Sequence, residues 1–365
     1  MTTRKVVAAL LAIVAAIGVA ACGSSSKSST AGTGGVSAPS GTINGAGSTL
    51  AAPVYQQWGS NLKGNGITLN YAAVGSGAGV AQWTSGTADF GASDPSLAPE
   101  DKKAAENKGA PVQIPTVLGA ITVSYNVSGI DKGLKLDGKT IADIFLGTVK
   151  KWNDPEIASL NSGLKLPSTS IQVVHRSDES GTTKGFTTFL SAYSPEWKSK
   201  IGADKTVKWP TGTGAKGNSG VAAAVKQTDG AVGYVEEAYA LQNNFTFADV
   251  KNKSGKFVEP SLASTSAAAD GINIPSDLGY SAIDSPNTSA YPIASQTFVD
   301  VFKDMCKAGL QKGTAQRIVA FLNYGLGDGQ NVAKQLSYAP LPSGLLTKSK
   351  DAVKTLECNG SPISG

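Results

Sequence analysis

The stretch Val173-Val174-His175-Arg176-Ser177-Asp178-Glu179-Ser180-Gly181-Thr182-Thr183 runs from a β-branched strand into a Ser-Gly-Thr helix start, and this junction decides the fold class. A strand feeding a helix through a short polar turn is the repeating unit of an α/β fold, and open α/β sheets bind ligands at the C-terminal edges of their strands. Arg176 stands at that edge. Ser180, Gly181 and Thr182 follow with hydroxyls and backbone N–H groups at the positive end of a helix. A planar guanidinium suits bidentate contact with a tetrahedral oxyanion better than an ammonium does, and Asp178 is near enough in sequence to fix its orientation. The plainer reading is a surface Arg–Asp pair beside a capped helix. Past residue 21 only Arg176 and Arg317 accompany 28 lysines, so a guanidinium here stands where lysine would ordinarily serve.

Two further loops share the chemistry. Gly45-Ala46-Gly47-Ser48-Thr49-Leu50-Ala51-Ala52-Pro53 is a glycine turn leading into a helix that carries Val54, Tyr55 and Trp58. Its free N–H groups and the Ser48 and Thr49 hydroxyls make an anion seat, though for this loop alone a plain N-cap by Ser48 or Thr49 is the favoured reading. Gly75-Ser76-Gly77-Ala78-Gly79 lies between a strand at 67–73 and a helix through 80–83. Its third glycine falls one position early for the dinucleotide fingerprint, which leaves a tight turn or a second anion loop with the Ser76 hydroxyl at its centre. Asp94, in Phe90-Gly91-Ala92-Ser93-Asp94-Pro95, is open between capping a helix at Pro95 and meeting a ligand. Many neutral donors with one arginine and one carboxylate favour binding over chemistry.

Strand patterning is clearest at 66–73, 112–123 and 170–176, and helices are expected after Thr49, Val80, Thr140, Thr183 and Val221, with another over 297–308. The segments 113–125 and 291–298 read as crossovers between two lobes. One lobe is then 41–118 plus 291–365, and the other 119–290. About 320 residues past the tether are more than one compact core usually holds.

The N-terminus sets the compartment. Arg4-Lys5, an apolar run at 6–21 and the small residues before Cys22 read as an export signal, too short for a stable bilayer span. Val19-Ala20-Ala21-Cys22 resembles the bacterial lipobox, which implies cleavage after residue 21 and lipidation of Cys22. From 22 to 40 the chain is too poor in apolar side chains to fold and reads as a tether about 25 Å in root-mean-square span. The remaining cysteines, Cys306 and Cys358, are expected to form a disulfide in an oxidising compartment. Losing Arg4 and Lys5 takes the formal charge from +5 to +3, and no basic run is interleaved with aromatics, which argues against nucleic acid as a partner. With His175 as the sole histidine, no metal site or cofactor is expected.

At these loops the sequence closely resembles the phosphate-binding proteins of bacterial phosphate-specific ABC importers. The matching stretches are GAGSTLAAPVYQQW, NYAAVGSGAGV, ADFGASD, FLGTVKKWNDPEI, VVHRSDESGTT, TVKWP, GAVGYVE and YPIASQTF, in order from residue 45 to 298. The resemblance implies an α/β, two-lobed periplasmic-binding-protein-like fold of type II with the ligand in the interlobe cleft. It implies phosphate contacts from Thr49, the Leu50 amide, Ser76, Asp94, Arg176, Ser180, the Gly181 amide and Thr182. It further implies a monomer that delivers inorganic phosphate to the permease subunits of an importer, anchored by lipid on Cys22 at the outer face of the cytoplasmic membrane. Leu50-Ala51 and Glu179 depart from the family pattern, and Glu179 adds a negative charge near the cleft. Two other classes compete. A secreted serine hydrolase built on Ser180, His175 and Asp178 meets a geometric objection, because His175 and Arg176 are neighbours on one strand and point to opposite faces. A metal-dependent phosphatase lacks ligands, with one histidine and two pairable cysteines. A structural surface lipoprotein would bind no anion.

Overall fold

The computed structural model describes residues 38–363; the signal segment, Cys22 and most of the tether lie outside them. Nine strands build the main sheet: β1 Gly41–Gly47, β2 Ile67–Ala73, β3 Phe90–Ser93, β4 Pro111–Asn126, β5 Gln172–Arg176, β6 Thr213–Ala215, β7 Ala231–Glu236, β8 Thr246–Phe247 and β9 Ala294–Phe302. Their order is β2-β1-β3-β9-β4-β7-β5-β6, with β8 on the side of β4. The strand–helix alternation read from the sequence thus yields the expected mixed α/β architecture. β1 pairs in parallel with β2 and β3, and β5 in parallel with β6 and β7.

β4 joins the two halves. Its 16 residues span roughly 50 Å, and its partner changes along the way. Pro111–Ala120 pair antiparallel with β9, and Ile121–Asn126 pair antiparallel with β7. Thr116, Thr122 and Ser124 are buried along it, and Thr116 and Thr122 donate to main-chain carbonyls of the neighbouring strands β9 and β7. Around β1 and β2 the core is aromatic, with Tyr55, Trp58, Phe90 and Phe321 in contact. Beyond β7, a second aromatic set joins Phe145, Phe186, Trp209 and Tyr234.

One expectation fails. Residues 297–308 were expected to be helical, but the strand β9 runs through Phe302 and a turn follows. All nine β9 residues are buried because β3 and β4 flank the strand and both faces of the sheet are covered. A strand buried on both faces loses its two-residue alternation and cannot be told from a helix by periodicity. β-branched Thr297, Val299 and Val301 were the better guide. Past the turn, Cys306 and Cys358 are disulfide-bonded across a sequence separation of 52, tying the end of β9 to the C-terminal hairpin. No helix among the described residues is long and apolar enough to cross a membrane.

Candidate functional site

β1 ends at Gly47, and the chain then turns through Ser48 and Thr49 into the helix Ala52–Leu62. Ser48 is fully buried and does two jobs: its Oγ accepts the Ala51 N–H at 3.1 Å and donates to Asp94 Oδ1. Neither Ser48 nor Thr49 is the helix N-cap, which is Ala51 without a side-chain cap; the Ser48 bond closes the turn before the helix, and Thr49 is turned elsewhere. Thr49 Oγ1 accepts from Asn218 Nδ2 at 2.9 Å, and the Thr49 carbonyl accepts from the Tyr239 hydroxyl at 2.7 Å. The Leu50 side chain is buried core, its carbonyl accepts from Tyr338, and its N–H has no acceptor among the described residues.

Asp94 follows β3 directly. No helix begins at Pro95; the next one is Pro99–Glu106, so Asp94 is not a helix cap. Its carboxylate is buried and is met by Ser48 and, at 3.3 Å, by the Ser76 hydroxyl. Burial pushes its carboxyl up to about 6, against the pull of hydrogen bonds from Ser48, Thr297 and Ser76 and of the Arg176 charge. At neutral pH Asp94 is thus charged but close to taking a proton. Ser76 opens the helix Ser76–Ser85 behind Gly75, whose φ of +98° is open to glycine and strained for other residues.

Across from these loops, Ser180 caps the helix Gly181–Tyr193 by accepting the Thr183 N–H. A Cβ on Gly181 would lie 2.3 Å from Ser76 Oγ and 2.4 Å from Asp94 Oδ2. The Cα of Gly181 therefore packs directly against Ser76 and Asp94, and glycine is the residue that lets the two segments approach. Arg176 is buried, with Nε and Nη2 on the two oxygens of Asp178 and Nη1 3.2 Å from Thr182 Oγ1. It is not a surface pair. Burial works to raise the Asp178 carboxyl, but the Arg176 hydrogen bonds and charge, with the Gly217 N–H at 3.0 Å, outweigh it and hold it low.

The structure brings Ser76, Asp94 and Gly181 together, sets Arg176 on Thr182, places Ser180 beside Gly181 as the cap of the same helix and leaves the Leu50 side chain in the core. It also shows a residue the sequence reading did not name. Asn218, fully buried, donates to Thr49 Oγ1 and, at 3.2 Å, to Thr182 Oγ1, while its Oδ1 accepts the Glu236 N–H. It clamps donors from two distant loops. The signal was present in Gly217-Asn218-Ser219-Gly220, a glycine-flanked helix start like the other three. His175 is not part of the locus: its Nδ1 bonds the Arg176 carbonyl and its ring stacks on Trp209 at 4.7 Å. The arrangement sets the Ser48 and Ser76 hydroxyls on the Asp94 carboxylate and the Arg176 guanidinium on Asp178 and Thr182, while the Ser180 hydroxyl accepts from the Thr183 N–H.

Comparison with known proteins assigns the family. The sequence model described as a PBP superfamily domain matches residues 31–326. The phosphate-binding protein PstS of Pasteurella multocida is 42% identical over 318 residues, which is 86% of this chain and 90% of that protein. The chain belongs to the PstS family. PstS of Haemophilus influenzae is 40% identical over 86% of this chain and 93% of its own length, and PstS 3 of Mycobacterium leprae is 35% identical over 86% and 87%. Among solved structures, a high-affinity periplasmic phosphate-binding protein with phosphate bound superposes on this PstS-family chain with a TM-score of 0.73, covering 89% of this chain and 100% of its own. The phosphate-binding protein of Stenotrophomonas maltophilia gives 0.66, covering 89% and 100%. At 22% and 21% identity these two establish the shared fold.

Proposed function

We propose that this PstS-family chain captures inorganic phosphate outside the cytoplasm and, as a monomer, delivers it to the permease subunits of an ABC importer. The observation that supports the reading is that Ser48, Ser76 and Gly181 meet the buried Asp94 carboxylate, while Asn218 links Thr49 to Thr182, which is itself the partner of Arg176. The Ser180 hydroxyl and the Leu50 and Gly181 N–H groups complete the proposed donor set. Phosphate near neutral pH is the oxyanion that can satisfy both kinds of group. Its protonated oxygen donates to Asp94 and its other oxygens accept from the donors. Sulfate carries no proton and would set two acceptors face to face in a dry site.

Thr49, Leu50, Ser76 and Asp94 come from one side of the β4 partner change, and Arg176, Ser180, Gly181 and Thr182 from the other. We therefore divide the body into lobes of 41–118 plus 291–365 and of 119–290, with the anion held between them. The protein is a binder and not an enzyme, because the sole histidine is engaged with Trp209 and cannot serve Ser180. Lipid on Cys22 holds the protein at the outer face of the cytoplasmic membrane, and the tether separates that anchor from the cleft.

Titrating the soluble form that begins at Gly41 with phosphate, arsenate and sulfate tests the reading. Saturable phosphate binding with sulfate excluded is expected; equal binding of all three, or none, removes it. In cells, Cys22→Ala is expected to release the protein from the membrane with phosphate binding intact.

A further inference from the structure

The two sides of the buried locus are not alike. On one side the loops touch: the Gly77 N–H donates to the Glu179 carbonyl at 3.1 Å, and a Cβ on Gly77 would lie 2.2 Å from the Glu179 carboxyl group. Glu179 is exposed there and places an acidic group over the glycine loop. On the other side, Asp94 and Gly181 open into a cavity of about 570 Å³. Lys184, Thr188, Tyr280 and Gln296 also line it, and its rim at Ser281 is exposed.

Two features of this cavity suit an anion. The helix Gly181–Tyr193 turns Gly181, Lys184 and Thr188 toward it, so an ammonium stands one turn from the site. Lys184 Nζ donates to the Ala203 carbonyl at 2.8 Å and forms no ion pair with a carboxylate among the described residues. Lys205, by contrast, is neutralised by Asp101 at 3.0 Å. The second feature is the Tyr280 hydroxyl, buried and without a hydrogen-bond partner among the described residues. Asp94 shares the lining, so the attraction for an anion at the outer part of the cavity comes from Lys184, and a positive charge near the mouth of a cleft with low-dielectric walls speeds the capture of an anion.

We propose that this cavity is a loading vestibule, a transient binding site for inorganic phosphate at Lys184, through which the anion reaches Asp94 and the donors while the Glu179 side stays shut. This rests on the phosphate-binding reading above and adds a route and a residue to it. Lys184 touches the anion on the way in and not in the bound state, so its contribution belongs to the association rate. Steering by a single charge is long-ranged at about 0.01 M salt, where the Debye length is about 30 Å, and is screened at about 1 M, where it is about 3 Å.

Stopped-flow association and dissociation of phosphate, on the full-length protein, test it. Lys184→Gln keeps a donor for the Ala203 carbonyl and is expected to slow association by about threefold or more at about 0.01 M salt, with the difference gone at about 1 M. Dissociation is expected to change by less than about twofold, and Lys184→Arg to restore the rate. Ser281→Trp at the rim is expected to slow association and dissociation together and leave the equilibrium constant in place. Unchanged association in Lys184→Gln, a loss confined to dissociation, or faster loading in Glu179→Gln beside a silent Lys184→Gln would each overturn the vestibule. A parent protein with no saturable phosphate binding would instead overturn the function itself, which keeps the two failures apart.

Discussion

Asp94 and Asp178 are two carboxylates of one cleft, both shielded from solvent, and the protein drives them in opposite directions. Asp178 faces the Arg176 fork and the Gly217 N–H, which hold its carboxyl low despite burial. Asp94 has hydroxyls and a more distant Arg176 for company, and burial lifts it to about 6. Burial is common to the two, so it does not set the role; the partner does. A carboxylate that faces a guanidinium is spent on orienting it, whereas one that faces hydroxyls keeps acceptor capacity for a ligand's proton. The difference also separates affinity from selectivity. In the proposed function, Arg176 and its Asp178 brace supply attraction to any tetrahedral anion, and Asp94 supplies a repulsive element against the anion that has no proton to give.

Breaking the Asp94 side has the largest expected effect. Asp94→Asn removes the charge and adds an N–H that sulfate can accept from, so discrimination between phosphate and sulfate is expected to fall by up to about 10⁴-fold. Phosphate affinity itself is expected to change far less. Competition calorimetry with both anions reads the two quantities at once, and a variant that still excludes sulfate leaves Asp94 without this role. Breaking the Asp178 side comes next: Arg176→Ala is expected to weaken phosphate binding by about 2–4 kcal/mol, since a charge-assisted bond in a closed site loses its donor. Arg176→Lys recovers part of the loss, because an ammonium cannot meet Asp178 and the anion as a fork does. Sulfate exclusion is expected to survive in both Arg176 variants, and its loss there would merge the two roles that the comparison separates.

Asn218 belongs to neither carboxylate and sharpens the contrast from the donor side. It holds Thr49 Oγ1 and Thr182 Oγ1 and takes the Glu236 N–H. Asn218→Ala is expected to lower affinity by about 1–2 kcal/mol for every anion alike, with selectivity unmoved. Titrating phosphate and arsenate in parallel checks it: a loss specific to one anion would make Asn218 a reader of the ligand and not a clamp.

How far each of these residues could be read in advance follows from where its partners lie. Arg176, Asp178, Ser180, Gly181 and Thr182 sit in one strand–turn–helix, so the local sequence carried both the chemistry and the geometry. Asp94 was ambiguous because an Asp-Pro pair looks alike as a helix start and as a ligand. The cap reading falls because no helix begins at Pro95, and the carboxylate's partners, Ser48 and Ser76, lie 46 and 18 residues away. Asn218 lies 169 residues from Thr49, and a glycine-flanked helix start does not announce which distant hydroxyl it will hold. The misread helix at 297–308 has the same origin at the level of the fold. β9 became the centre of a sheet through pairing with β3 and β4, and full burial erased the alternation that would have marked it.

In the proposed function the Asp94 carboxylate rejects sulfate because it is charged. Its pKa is raised from the ordinary carboxylate value to about 6, so it is ionised above that pH and protonated below it. A protonated Asp94 donates, and a sulfate oxygen can accept from it. Exclusion should therefore hold at pH 8 and weaken as pH falls through about 6, or somewhat above it where bound sulfate itself draws a proton onto the carboxyl. The direct measurement is the apparent affinity of the parent protein for sulfate between pH 8 and pH 5, by competition against phosphate, with Asp94→Asn alongside. Sulfate affinity that rises steeply on acidification in the parent and stays level in Asp94→Asn is the result expected. Sulfate affinity that is equally poor across the range in the parent, or that rises in parallel in both proteins, contradicts it.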